Sequence, residues 1–281
     1  MTNIDQYIDR AIHLVPAPHI LPQVIPLLND TRSNAIRIVD LILYDTSLTA
    51  NMLRVCNSAY YSRGTPIESV LQAVTLLGFQ QVYRIVVAVT GAATLSAQLK
   101  GYGVESTGLW THSVATAVLA QGIAEDLGDN GDMAFTAGLL HDTGKIVLSE
   151  PLESLADEFA EETANAATVV PAERKLLGCD HAQAGGRLLE RWKIPDTLVG
   201  AVIYHHDPAS ATQSQRLAAC VCLANALAYS MGHGFGHQAL SLTGRDEASA
   251  ILEISPARLP GYVDQCFEKL RSIKTLYNLT T

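Results

Sequence analysis

The sequence predicts an all-α fold. Apolar residues recur at spacings of three and four along nearly the whole chain, no alternation of period two runs beyond four residues, and no internal repeat is found. Apolar residues make up 48% of the 281 and charged residues 17%, which allows a large core and argues against disorder. The length suits one large domain or two modest ones.

The elements follow in order. Ile36, Ile38, Val39, Leu41, Ile42 and Leu43 form an apolar helix that runs into Asp45-Thr46, where one helix stops and the next is capped. TSLTANMLRVCNSAYYS continues as a second helix, with Leu48, Met52, Val55 and Cys56 on one face. RGTPIES breaks the pattern at Gly64 and Pro66, and VLQAVTLLGFQQVYRIVVAVTGAATL follows as two apolar helices hinged near Gly78. The small, glycine-rich stretch GYGVESTG, residues 101–108, marks a boundary between an N-terminal helical subdomain, residues 1–100, and a second helical subdomain, residues 101–281.

The second subdomain places polar ligand types on apolar helical faces. In LWTHSVATAVLAQGIAEDL, His112 shares its face with Ala115, Thr116, Leu119 and Ile123. In GLLHDTGKIVL, residues 138–148, His141, Asp142 and Lys145 interrupt an apolar run. In CDHAQAGGRLLERW, Asp180 suits a helix cap and His181 opens a stripe with Ala184, Gly185 and Leu188; Gly185 leaves room for another backbone. In DTLVGAVIYHHDP, His205 is in register with Leu198, Ala201 and Val202, and His206 with Val199, Val202 and Ile203. Asp207-Pro208 ends that helix, since the residue before proline avoids the α region. In RLAACVCLANALAYS, Asn225 is the one amide, in line with Ala218, Val221 and Cys222. Ser255-Pro256 starts a last helix, packed through Leu259, Val263, Phe267 and Leu270.

Charge and cysteine usage narrow the function. A net charge of −9 argues against a nucleic-acid surface, and a phosphate site would need local cations or a metal. Cys56, Cys179, Cys220, Cys222 and Cys266 form no CxxC and read as buried, reduced thiols of a cytoplasmic protein. Asp5, Asp9 and Arg10 leave no signal-peptide core near the start, and the longest apolar run, residues 85–95, is too short for a membrane span. No membrane or nucleic-acid partner is expected.

Each polar residue alone has an ordinary reading. His112, His181 or His205 would be a core histidine bonded to a backbone carbonyl, and His206 would sit at a helix end. Asp142 would cap the turn of Thr143 and Gly144, Lys145 would be a surface charge, and Asn225 a core amide. Together these readings are strained, because five histidines and an aspartate between residues 112 and 206 would each need a separate partner. One shared metal centre satisfies them all. His141 and Asp142 differ by about 100° on a helix, so a site wedged between two helices would receive both. The ligands are many for one ion, which points to two.

His112 followed by His141-Asp142 in GLLHDTGK resembles the signature of the HD superfamily of metal-dependent phosphohydrolases. LPQVIPLL, DTSLTANMLRVCNSAYYS and TPIESVLQAVTLLGFQQV resemble the HDOD family, a bacterial signalling output module, and the likeness runs from residue 21 to residue 227. It implies an N-terminal helical subdomain packed on an HD-like core, one unit of about residues 15–240. The superfamily's metal set falls on His112, His141 and Asp142, with Asn225 where the last aspartate belongs. That departure removes one negative ligand. His181, His205 and His206 look like the extra histidines of the two-metal HD-GYP relatives. The GYP segment is missing, which argues against cyclic di-GMP hydrolysis.

The resemblance implies one or two divalent ions, iron or manganese ahead of magnesium, zinc or nickel, acting on a phosphoester or nucleotide. Asp142 would bridge the ions, and Lys145 would hold a phosphate oxygen or the carboxylate. The family's tendency to lose ligands implies the alternative, a non-catalytic regulatory module with a structural metal and a signalling protein partner.

Overall fold

Several helix boundaries in this chain are set by local chemistry that the sequence already carries. The computed structural model describes residues 3–11, 20–29, 34–43, 45–58, 61, 66–96, 98–105, 108–164, 166, 168–233 and 244–276. The first helices are α1 (Asn3–Ala11), α2 (Leu21–Val24), α3 (Asn34–Leu43), α4 (Thr46–Cys56), α5 (Val70–Leu77) and α6 (Phe79–Leu95). The Asp45 carboxylate caps α4 by accepting from the Leu48 amide at 2.9 Å, and Ser69 caps α5 by accepting from the Gln72 amide at 3.1 Å. Gly78 separates α5 from α6 at φ +83°, a left-handed value that glycine adopts without strain. Gly64, and Ser106 and Thr107 of the glycine-rich stretch, lie outside the described residues.

The rest of the chain forms α7 (Gly108–Asp126), α8 (Gly131–Leu140), α9 (Gly144–Glu153), α10 (Ala156–Thr163), α11 (Val170–Leu177), α12 (His181–Arg191), α13 (Asp196–Ile203), α14 (Gln215–Ala228), α15 (Arg245–Ile251) and α16 (Leu259–Leu276). Among the described residues there is no strand, only one isolated antiparallel bridge between Leu99 and Val104. The fold is all-α. Helix α7 is the spine, buried nearly all round, with α8, α14 and α16 packed on it. No described helix is long and apolar enough to cross a membrane. All five cysteines are buried free thiols.

Helix α6 meets α8 through Tyr83, whose hydroxyl lies 2.8 Å from Thr136 Oγ1, and through Arg84, which donates to Asp132 at 2.6 Å. Helix α1 packs on α9 and α12. Helices α9 and α12 cross where two glycines meet. A methyl group on Gly144 would overlap the His181 carbonyl and stand 2.5 Å from the Gly185 nitrogen. The room foreseen at Gly185 is filled by the Gly144 backbone.

Three expectations need correction. Ile36 and Leu43, read as parts of an apolar helix, are 71% and 54% exposed on α3. Phe267 is 46% exposed, and the core face of α16 is made by Tyr262, Cys266 and Leu270, at four-residue steps. Ser255-Pro256 does not open α16 directly: a 3-10 turn, Pro256–Arg258, comes first and the Ser255 side chain caps nothing.

Candidate metal centre

The histidines arrive from separate segments, each fixed by its own backbone. Helix α7 carries His112 in its first turns. Helix α8 ends at Leu140, and the chain turns through His141, Asp142 and Thr143 before α9 starts. Bonds from the Thr143 amide to the Leu140 carbonyl, 3.1 Å, and from the Lys145 amide to the Asp142 carbonyl, 3.0 Å, hold that turn. Asp142 therefore caps neither helix with its side chain and is left to face inward. Asp180 caps α12 and exchanges bonds with Gln183 in a capping box, which fixes His181 as the first helical residue.

His205 and His206 do not continue α13, as helical register had them. The helix stops at Ile203, and the chain turns through Tyr204, whose carbonyl accepts from the Asp207 amide at 3.0 Å. The turn places both rings side by side, with centroids 4.0 Å apart.

The ring hydrogen bonds fix the orientation of each imidazole. His112 Nδ1 meets the His233 carbonyl at 2.9 Å, His141 Nδ1 the Gly138 carbonyl at 2.8 Å, and His205 Nδ1 the Val202 carbonyl at 2.6 Å. A carbonyl only accepts, so each Nδ1 carries a proton, and in the uncharged ring the lone pair is left on Nε2. His181 Nδ1 donates instead to the Glu173 carboxylate at 2.7 Å, with the same result. All these lone pairs converge on Asp142. Its Oδ2 lies 3.6 Å from His112 Nε2 and 3.4 Å from His141 Nε2, while its Oδ1 lies 3.3 Å from His181 Nε2 and 3.9 Å from His205 Nε2.

Two groups with metal-binding spacing result, one of His112, His141 and Asp142, the other of His181, His205 and His206. His181 Nε2 and His206 Nε2 stand 2.8 Å apart. His112, His141, His181 and His205 are fully buried and Asp142 is 1% exposed, whereas His206 is partly exposed. Lys145 Nζ donates to Asp142 Oδ2 at 2.6 Å and is itself buried, contrary to the surface reading. Asn225 is buried on α14 with Oδ1 accepting no hydrogen bond, and α14 packs against α7 and α8.

The charges are arranged for cation binding. Burial holds His112 down to about 3 against the pull of Asp142. Burial also pushes His205 and His206 well below the ordinary imidazole range, helped by the neighbouring rings. It would raise Asp142, but His141 and Lys145 hold that carboxyl well below its usual value. Asp142 in turn keeps Lys145 above its usual value in spite of burial. Uncharged rings at His112, His205 and His206 thus stand beside the Asp142 carboxylate.

These shifts predict acid lability of the metal-free protein. Above the ordinary histidine value of 6.5 neither folded nor unfolded chain protonates His112, His205 or His206, so they add no pH dependence. Below 6.5 the unfolded chain takes up protons that the folded one refuses, and stability falls with pH. Asp142 and Glu173, both depressed, contribute stability that is lost only at still lower pH. Urea unfolding between about pH 7.5 and about pH 5 checks this, and a flat profile over that range would contradict it.

Sequence reasoning missed three residues that support the cluster. Glu173 stands between Ala172 and the charged pair Arg174-Lys175 in VPAERKLL, yet it is fully buried against His181. Tyr102 donates to its Oε1 at 2.6 Å. Tyr229 lies tilted against His112, with ring centroids 4.8 Å apart, and bonds to Lys145.

Comparison with known proteins places this arrangement in a family. The HDOD domain model matches residues 14–208. The chain belongs to the HDOD family. An uncharacterized Treponema pallidum protein is 26% identical to this HDOD chain over 193 residues, which are 67% of the chain and 37% of that relative. The chain thus spans little more than a third of the length of that curated relative. Among solved structures, a protein from Shewanella amazonensis SB2B named as a candidate phosphohydrolase superposes with a TM-score of 0.74 at 22% identity, covering 99% of this chain and 98% of the other. An HDOD domain protein of unknown function from Geobacter sulfurreducens gives 0.65 at 23% identity, covering 94% and 99%. At these identities the structural likeness shows the HDOD fold.

Proposed function

We propose that this HDOD chain holds two divalent ions and hydrolyses a phosphoester. The observation that carries the reading is Asp142, whose two oxygens each face a different histidine group. The residues fit the ions. His141 Nε2, His205 Nε2 and Asp142 Oδ1 are buried without hydrogen bonds, and leaving such atoms unpaired costs about 1–3 kcal/mol each. Imidazole with carboxylate suits iron or manganese. His112, His141 and Asp142 would hold one ion, and His181, His205 and His206 the other. Asn225 Oδ1 is available as a neutral ligand for the first.

When bound, the ions would supply an activated water and charge stabilisation on the phosphoryl oxygens. The chain's own groups do the rest. Asp142 fixes the spacing between the two halves, and Lys145 holds the Asp142 carboxylate in place through its 2.6 Å bond. Partly exposed His206 marks the side facing solvent.

Elemental analysis of the purified chain, with turnover of bis-p-nitrophenyl phosphate in Mn²⁺ or Fe²⁺, tests the reading. Wild type should carry two ions and cleave the ester, and His141→Ala should lose the first ion and essentially all turnover. Unchanged turnover in His141→Ala would end the hydrolase reading. A regulatory module with a structural metal is favoured by one combination, the Lys145 bond on Asp142 and the uncharged Asn225. In that case wild type binds metal without turnover, and Asn225→Asp, which restores a negative ligand, gains hydrolysis.

A further inference from the structure

Glu173 is a buried carboxylate with no place in either ligand group, and it sits against the second. Helix α11 carries it in its first turn, and Gly178 ends that helix in a left-handed turn, φ +76°, that brings Asp180 and α12 back over it. Three donors converge on its two oxygens. The His181 amide reaches Oε2 at 2.9 Å, His181 Nδ1 reaches both oxygens at 2.7 and 2.8 Å, and the Tyr102 hydroxyl reaches Oε1 at 2.6 Å.

His112, His141 and His205 are oriented by neutral backbone carbonyls, so His181 alone among these rings leans on a carboxylate. An ionised partner on Nδ1 does two things for a ligating imidazole: it fixes the tautomer, and it raises the electron density at the opposite nitrogen. That opposite nitrogen, His181 Nε2, is the atom placed between Asp142 Oδ1 at 3.3 Å and His206 Nε2 at 2.8 Å.

Tyr102 gives the arrangement a longer reach. It belongs to the segment between α6 and α7, where Leu99 and Val104 pair in a bridge. The Gly101 amide next to it donates to Ser149 Oγ on α9 at 3.2 Å. Ring contact with Phe159 of α10, centroids 5.6 Å apart, fixes the phenol from a third side. The connector is therefore fastened to α9, α10 and, through Glu173, α12.

We propose that Glu173 is a positioning residue for the second ion, holding His181 as its Nδ1–H tautomer, and that Tyr102 links this residue to the connector between α6 and α7. The proposal rests on the two-ion reading for its metal consequence. Its tautomer consequence stands without metal.

Glu173→Gln, which keeps the volume, and Tyr102→Phe test it in the full chain. Imidazole ¹⁵N spectra of the metal-free protein should show His181 as Nδ1–H in wild type, with a measurable Nε2–H fraction in Glu173→Gln. Titration with Mn²⁺ should then show the second site weakened by about 10–100-fold in Glu173→Gln and by less in Tyr102→Phe, the first site being unchanged. An unchanged tautomer and affinity, with only a lower melting temperature, would mean a purely structural carboxylate and overturn the proposal. If wild type takes up no ion, the two-ion reading fails, and the tautomer comparison still decides whether Glu173 positions His181.

Discussion

An Asp142→Ala chain is expected to bind neither ion and to be less stable than its parent even with no metal present. On the two-ion reading the first effect follows from the shared carboxylate: both histidine groups lose the oxygen they face, so removing one residue would empty two sites. The second comes from Lys145. Its ammonium is 2% exposed and lies 2.6 Å from Asp142 Oδ2, and stripping one partner from a buried ion pair costs about 3–5 kcal/mol. The double variant Asp142→Ala/Lys145→Met should recover most of that stability and none of the metal. Elemental analysis and urea unfolding of the two variants separate these effects. Two ions retained in Asp142→Ala, or a single variant as stable as the double, would refute the corresponding half.

Gly144→Ala should unfold the protein more effectively than any change of similar size on the surface. One methyl group there would overlap the His181 carbonyl and crowd the Gly185 nitrogen at 2.5 Å, and backbone on both sides cannot step aside. Overpacking of this kind costs about 1–3 kcal/mol, occasionally more, and a backbone-to-backbone clash belongs at the top of that range. Helices α9 and α12 would separate, and with them Asp142 and His181. Gly122→Ala is the control: it lies on α7 with nothing within 4 Å of the added carbon, and should stabilise by about 0.5–1 kcal/mol. Denaturant midpoints compare the two. A Gly144→Ala midpoint within error of the parent would show that the crossing is loose.

Features governed by adjacent residues were legible in the sequence. Asp45, Gly78 and Asp180 act through bonds or dihedrals within a few residues, and each stands where pattern reading puts it. The converging histidines were legible for a different reason, since so many imidazoles on apolar faces have few ways to be satisfied apart from one another. What was not legible depends on contacts distant in sequence. Helix α16 offers two overlapping stripes, and only the position of α7 decides that Cys266 faces inward and Phe267 outward. Glu173 lies beside Arg174 and Lys175 and becomes a buried partner only when α12 folds back onto it. The end of α13 short of His205 likewise was not legible from the helical register of DTLVGAVIYHH.

The cluster draws on residue 112 at one extreme and residue 206 at the other, with His233 supplying a carbonyl from further still. Closing loops of that length is slow compared with forming a helix or a helical hairpin. The His112 ring is also held by the His233 carbonyl, 121 residues away, so it is oriented only after the surrounding helices have docked. On the two-ion reading metal would then not be the seed of folding, in contrast to small domains that stay unfolded until an ion arrives. On the two-ion reading the chain would fold first and be loaded afterwards. Scarcity of the ion would leave a folded, empty protein in place of an unfolded one, and refolding rates should be the same with and without a chelator.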